Sequence, residues 1–132
     1  MAWVTPKTNW QSTDYFNLTP DYARIQGNLL YLQQEAEYFY GPVTFLEMGS
    51  YTIDDWPHVD FLNNIVANVQ TLLDLYAPTG SQSMNSYTAG APGWTSTDLN
   101  IIENNCLLFE QSLSRQKNAI PKLPMQLGLM QI

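Results

Sequence analysis

The sequence has few of the residues used for metal, disulfide and nucleic-acid chemistry. A single cysteine excludes an internal disulfide, and a single histidine leaves few nitrogen ligands for a metal ion. Five Lys and Arg against 12 Asp and Glu, a net charge of −7, argue against a nucleic-acid-binding surface. No apolar run approaches the roughly 18 residues of a membrane span, and the first ten residues lack the apolar stretch of a secretory signal. We therefore expect one domain, with neither nucleic acid nor membrane as a partner.

Charged residues are also scarce as a class. They form 13% of the chain, about half the average for soluble domains. Asn, Gln, Thr and Ser supply the polarity instead, together with 4 Trp, 8 Tyr and 5 Phe. Because interface cores are enriched in aromatic residues and depleted in charge, this composition favours a surface that contacts another protein. The alternative is an uncharged surface with no special partner.

Helix-capping and helix-breaking residues divide the chain into segments. Pro, Gly and capping hydroxyl or carboxylate residues at Thr19-Pro20-Asp21, Gly41-Pro42, Asp55-Trp56-Pro57 and Ser96-Thr97-Asp98 predict helices at about 20–40, 57–76 and 97–118. The rest is predicted as an extended N-terminal arm over 1–18 and long loops at 41–56 and 77–95. The first loop has a possible short strand at 43–46. An extended C-terminal tail follows over 119–132, since Pro121 and Pro124 forbid helix.

The three predicted helices place apolar residues at the same spacing. Offsets of 0, 3, 7, 10 and 14 keep these residues within about 80° of the helix circumference, a narrow buried stripe. Three such stripes facing one another predict a mainly α fold, a three-helix bundle over residues 19–118. The stripes are Tyr22, Ile25, Leu29, Leu32 and Ala36; Leu62, Ile65, Val69, Leu72 and Tyr76; and Leu99, Ile102, Cys106, Phe109 and Leu113.

An asparagine recurs three residues after the shared isoleucine of each stripe, at the edge of the core. Such an amide can satisfy backbone groups of a neighbouring segment and fix how the helices register. We interpret the first and third helices as a structural repeat, whereas the match in the second is what any apolar stripe would give. The repeated positions are Asp21, Ile25 and Asn28; Ile65 and Asn68; and Asp98, Ile102 and Asn105.

The first and third helices have a second apolar face, formed by Leu30 and Tyr31 and by Leu107 and Leu108. A three-helix core does not require this face. Either the arm and tail of the same chain cover it, or another subunit does.

No residue pattern predicts catalysis or metal binding. His58 lies among Asp54, Asp55 and Asp60, but capping of the second helix explains this group better than a metal site. Cys106 falls on the third core stripe, where a small buried side chain is expected. Glu103 and Glu110, one heptad apart, are predicted on the outer surface. We assign no catalytic residue, metal ligand or cofactor.

Aromatic and apolar residues near the two ends are candidate anchors for a partner protein. Those of the arm are Trp3, Trp10, Tyr15 and Phe16, and those of the tail are Leu123, Pro124, Met125 and Leu127. An alternative is contact with carbohydrate through the loop aromatics Tyr51, Trp56 and Trp94.

Two blocks resemble small proteins of tailed phages and prophages of Gram-positive bacteria. That group has Asp-Tyr-Phe-Asn, then Asp-Tyr-Asn-Arg-Ile-x-x-Asn, and a second block Asp-Leu-Asn-Arg-Ile-Glu-x-Asn. This chain reads Asp14-Tyr15-Phe16-Asn17, Asp21-Tyr22-Ala23-Arg24-Ile25-Gln26-Gly27-Asn28, and Asp98-Leu99-Asn100-Ile101-Ile102-Glu103-Asn104-Asn105. Ala23 and Ile101 depart from the pattern.

The resemblance implies a non-enzymatic virion structural protein of the tail, baseplate or fibre region. It would be assembled in the host cytoplasm with other virion proteins, as a homo-oligomer or in multiple copies. A host-surface carbohydrate-binding module is the alternative function.

Overall fold

The computed structural model describes residues 3–16, 18–48, 59–84 and 95–119. A single π-helical turn, Leu18–Tyr22, leads into helix α1, Ala23–Tyr40; α2 is Val59–Leu75 and α3 is Ser96–Ala119. The predicted mainly α three-helix bundle is confirmed. The described residues contain no strand, so the possible strand at 43–46 was wrong. The predicted tail beyond Ala119 and about half of each long loop lie outside the described residues.

The helix ends follow the predicted signals with small shifts. Gly41, at φ 82°, ends α1 and donates its N–H to the carbonyl of Glu37. The cap of α3 is Thr95 rather than Ser96, because Thr95 and Asp98 bond reciprocally. The Asp98 N–H donates to Thr95 Oγ1 (3.2 Å) and the Thr95 N–H donates to Asp98 Oδ2 (3.0 Å).

Helices α1 and α3 run in the same direction. Arg24 bonds to Glu103 near the N-terminal ends, whereas Glu35 and Lys117 pair near the C-terminal ends, at 3.5 Å. Antiparallel helices would reverse one of these pairings. The two helices therefore present their C-terminal ends on the same side of the bundle.

Helix α2 shares this direction, because residues 43–48 return along α1 and α2 runs antiparallel to them, with Asn64 bonded to Glu47 and Asn68 to Leu46. The carbonyl of Val43 accepts from Gln33, and that of Met48 accepts from Tyr22, nearer the start of the helix. The 18 residues of α1 rise about 27 Å, and an extended chain needs about eight residues to return that distance. A parallel bundle therefore requires the long connections that the sequence shows.

The core follows the predicted stripes closely. All five stripe residues of α1 and all five of α3 are buried, as are Ile65, Val69 and Leu72 of α2. Tyr76 is 40% exposed, so its predicted core position was wrong: α2 ends at Leu75 and the chain turns away there. The side chain of Leu62 lies outside the described part.

Candidate functional site

Each helix carries one buried asparagine whose amide holds the main chain of a single extended residue. In every case Oδ1 accepts from the backbone N–H and Nδ2 donates to the carbonyl of the same residue. We call these pairs the amide clamps. They join Asn28 to Val4 (2.9 and 2.7 Å), Asn68 to Leu46 (2.7 and 2.9 Å), and Asn105 to Gln82 (3.0 and 2.9 Å).

The amide clamps define a threefold internal repeat of an extended segment followed by a helix. The clamped residue precedes its asparagine by 24, 22 and 23 positions in the three units. Two residues after each clamped residue, the side chains of Pro6 and Met48 are buried and that of Met84 packs on the core. The repeat therefore includes α2, and its restriction to the first and third helices was wrong.

The amide clamps supply main-chain partners that these segments would otherwise find in a sheet. Buried backbone N–H and C=O groups need hydrogen bonds, and leaving one unsatisfied costs about 1–3 kcal/mol. The asparagines are 0–2% exposed, so water cannot replace them readily. The predicted role of the repeated amides, bonding to backbone of a neighbouring segment, is confirmed by these contacts.

The N-terminal arm is held a second time, by α3. Asn100 clamps Trp10 in the same way, at 2.7 and 3.1 Å. Glu103 accepts the Lys7 backbone N–H (3.0 Å), the Trp10 indole N–H, and Nε and Nη2 of Arg24 (both 2.8 Å). We call Glu103 with these donors the carboxylate lock.

Glu103 is 1% exposed, so its predicted place on the outer surface was wrong. On the surface of α3, the Glu103 side chain lies about 90° around the helix from the core stripe. A side chain at this position would face solvent if the arm did not cover it. Its four donors satisfy the buried carboxylate, which would otherwise be strongly unfavourable. The arm and the lock therefore depend on each other.

The charge environment of the carboxylate lock favours the ionised form of Arg24. Hydrogen bonds to Glu103, and then the nearby Glu103 and Asp21 carboxylates, raise the pKa of Arg24 above its usual value. Arg24 Nη1 lies 3.1 Å from Asp21 Oδ1. Lys7 Nζ lies 4.1 Å from the centre of the Trp10 ring, within cation–π range.

Cys106 has the inert environment expected of a core residue. Burial, with a smaller contribution from Glu103, raises the pKa of its thiol to about 12. Since the thiolate is the nucleophilic form, this cysteine is unreactive at neutral pH in the folded chain.

The predicted arm anchors contact the chain's own bundle, with one exception. Trp3 lies 5.6 Å from Tyr31, and Phe16 lies 5.8 Å from the buried Trp10, measured between ring centres. Tyr15 remains 85% exposed. Main-chain and indole hydrogen bonds fix residues 3–10 on α1 and α3 of the same chain.

Part of the second apolar face contacts other residues of the same chain. Tyr31 meets Trp3, while Leu30 and Phe45 each pack against the core and line one open groove. A Cβ on Gly80 would lie 3.5 Å from Leu108 Cδ1. Leu107 is half-buried.

Four exposed side chains at one end of the bundle were not identified from the sequence. We call Tyr38, Tyr40, Leu75 and Tyr76 the tyrosine end. Their exposed fractions are 69%, 37%, 37% and 40%. Tyr38 and Tyr40 lie in the last turn of α1, Leu75 ends α2, and Tyr76 follows it. The signal in the sequence was the run Tyr38-Phe39-Tyr40 just before the helix-ending glycine.

Several predicted positions fall outside what the structure describes. They are the loop aromatics Tyr51, Trp56 and Trp94, His58 with Asp54 and Asp55, the side chain of Asp60, and the tail residues Leu123, Pro124, Met125 and Leu127. Within the four described ranges, no group of three or more His, Cys, Asp or Glu could hold a metal ion. No helix in those ranges is both apolar and long enough to span a membrane.

No protein-family model, curated protein or solved structure matches this chain.

Proposed function

We propose that this chain is a non-enzymatic structural protein of a tailed-phage particle, an assembly or attachment module of the tail, baseplate or fibre region. Its partners are other virion proteins, and it is present as a homo-oligomer or in multiple copies. The proposal rests on the structural role of the residues in the two blocks that resemble phage proteins.

The residues that carry this resemblance build the scaffold. Asn28 and Asn105 form two amide clamps, and Arg24 and Glu103 form the carboxylate lock. The residues that resemble the phage pattern therefore stabilise the fold of this chain, which is consistent with a structural role.

The two residues that depart from the phage-protein pattern also have a structural explanation. Asn100 clamps Trp10 from α3, while Ala23 stands at the corresponding position of α1. Arg24 joins the carboxylate lock from α1, while Ile101 stands at the corresponding position of α3. The two blocks thus contribute different halves of one interaction, the attachment of the arm.

The tyrosine end and Tyr15 supply the contact surface in this proposal. Interfaces favour tyrosine because it offers a large apolar area with few rotatable bonds and a polar tip. The predicted anchors Trp3, Trp10, Phe16, Leu30 and Tyr31 stabilise the module itself. Neighbouring virion proteins would contact the exposed tyrosines.

Particles of the phage or prophage that encodes this chain provide the test. We expect purified particles to contain the chain in a fixed copy number. The double substitution Tyr38→Ser and Tyr76→Ser is expected to lower that copy number at least tenfold, measured by quantitative mass spectrometry. The free energy of unfolding should change by no more than about 0.5–1 kcal/mol, because both side chains are exposed.

Gln34→Ser is the matched control, an exposed residue one turn earlier on α1. It should leave the copy number unchanged. Complete and infectious particles that lack the chain would contradict the proposed function.

A further inference from the structure

We propose that the groove between α1 and α3 also accepts residues 3–10 of a second copy, so that copies join by exchanging their arms. This inference rests on the assembly role proposed above and identifies one partner, the chain itself. The inference rests on two features, the hydrogen bonds by which the groove binds the arm and the connection that joins the arm to the bundle.

The groove recognises the arm mainly through its main chain. Asn28 holds both backbone groups of Val4, Asn100 holds both of Trp10, and Glu103 accepts the N–H of Lys7. The indole N–H of Trp10 adds one side-chain hydrogen bond, and Trp3 and Trp10 add apolar packing. Every one of these partners lies on α1 or α3, so an arm from a second copy can make the same set.

The arm is attached to the bundle differently from the other two clamped segments. Residues 43–48 and 76–84 each lie between two helices of the bundle, whereas residues 3–10 come before the first of its helices. The connection over residues 11–15 is exposed. It contains the local turn in which the Gln11 N–H donates to Asp14 Oδ2 (2.9 Å).

Exchange keeps all contacts between the arm and the groove. Its cost is the entropy of association and the opening of both chains, and the contacts regained in each groove make exchange of an identical element a low-cost route to dimers. The net charge of −7 on each copy opposes association, and salt screens that repulsion. The population of exchanged pairs should therefore rise with ionic strength.

Shortening the connection tests the proposal on the full chain. Deleting Ser12 and Thr13, both exposed, keeps an arm from reaching its own groove easily but leaves a neighbour's groove accessible. We expect the dissociation constant of the two-chain species to fall at least tenfold, measured by sedimentation equilibrium. Equal amounts of light and isotopically heavy chains should give mixed pairs by native mass spectrometry.

Two further variants complete the design. Ser12→Gly with Thr13→Gly alters the same residues without shortening the chain and should leave the dissociation constant unchanged. Adding Asn28→Ala and Asn100→Ala to the deletion should abolish the pairs, with the helix content checked by circular dichroism. If these substitutions also reduce the helix content, Asn100→Ala alone in the deletion background is expected to weaken pairing at least fivefold.

Two outcomes would overturn the inference. In one, the deletion variant stays a single chain; in the other, pairs persist without the clamps, which would place the contact on another surface such as the tyrosine end. Failed exchange with normal incorporation into particles overturns arm exchange alone. Normal exchange with no incorporation overturns the proposed function alone.

Discussion

Replacing Glu103 with alanine is expected to lower the free energy of unfolding by about 3–5 kcal/mol, the usual effect of leaving a buried charge without its partner. The substitution removes the acceptor for Arg24, for the Trp10 indole and for the Lys7 N–H. Urea unfolding followed by circular dichroism measures the loss. Because the arm is released, tryptophan emission should also shift to longer wavelength before the helices unfold.

Glu110→Ala is the matched control for this prediction. Glu110 lies one heptad later on α3, is half-buried, and accepts one hydrogen bond from Ser114 (2.8 Å). Its replacement should cost about 1 kcal/mol or less. Equal losses of stability for the two glutamate variants would contradict the carboxylate lock. They would support instead the outer-surface position that the sequence predicts for both residues.

The double variant Arg24→Leu with Glu103→Leu distinguishes the interaction between these two charges from the effect of burying the two side chains. It removes both charges, so the loss should be smaller than the sum of the two single losses. An additive result would mean that Arg24 and Glu103 do not interact.

The second large effect is expected for Asn105→Asp, which should lower the free energy of unfolding by about 3 kcal/mol at pH 7, because a buried charged group loses a hydrogen-bond partner. In the variant, one carboxylate oxygen still accepts the Gln82 N–H. The other oxygen faces the Gln82 carbonyl, which in the unsubstituted chain accepts a hydrogen bond from Asn105 Nδ2. Burial and this repulsion raise the pKa of the new carboxyl in the folded chain. The loss of stability therefore shrinks as the pH falls toward the pKa of an aspartate in the unfolded chain, near 3.9. At such a pH the carboxyl of the folded chain is protonated and can donate a hydrogen bond to the Gln82 carbonyl.

Asn104→Asp is the control, the same substitution at the neighbouring half-buried position. We expect a change of about 0.5 kcal/mol with little dependence on pH. Chemical denaturation at pH 7 and pH 4.5 provides the comparison. Similar losses at Asn104 and Asn105, or a loss at Asn105 that grows on acidification, would contradict the clamp.

The apolar stripes were predictable because they depend only on the period of the helix. Offsets of three and four residues place Ile25, Leu29 and Leu32 on one face wherever the helix packs. The same period placed the asparagines at the edge of that face, and the bonding of their amides to main chain followed from chemistry. Which residue each amide holds was not predictable, since that depends on the path of the extended segment.

The burial of Glu103 lay outside the reach of helical periodicity. Its position on α3 is about 90° from the stripe, and only the arm, more than 90 residues away in sequence, turns it into a buried residue. Tyr76 shows the opposite case, because its spacing fits the stripe but α2 ends before it. The possible strand at 43–46 was extended as expected, yet its partner is the side chain of Asn68 rather than another strand.

Asparagine side chains fix three extended segments to parallel helices, and amide hydrogen exchange followed by NMR tests this arrangement. The N–H groups of Val4, Leu46 and Gln82 are expected to exchange as slowly as those of the helix interiors. The residues that follow them, Thr5, Glu47 and Ser83, are exposed and should exchange at least tenfold faster. Fast exchange at all three clamped residues would mean that the asparagines do not hold these segments.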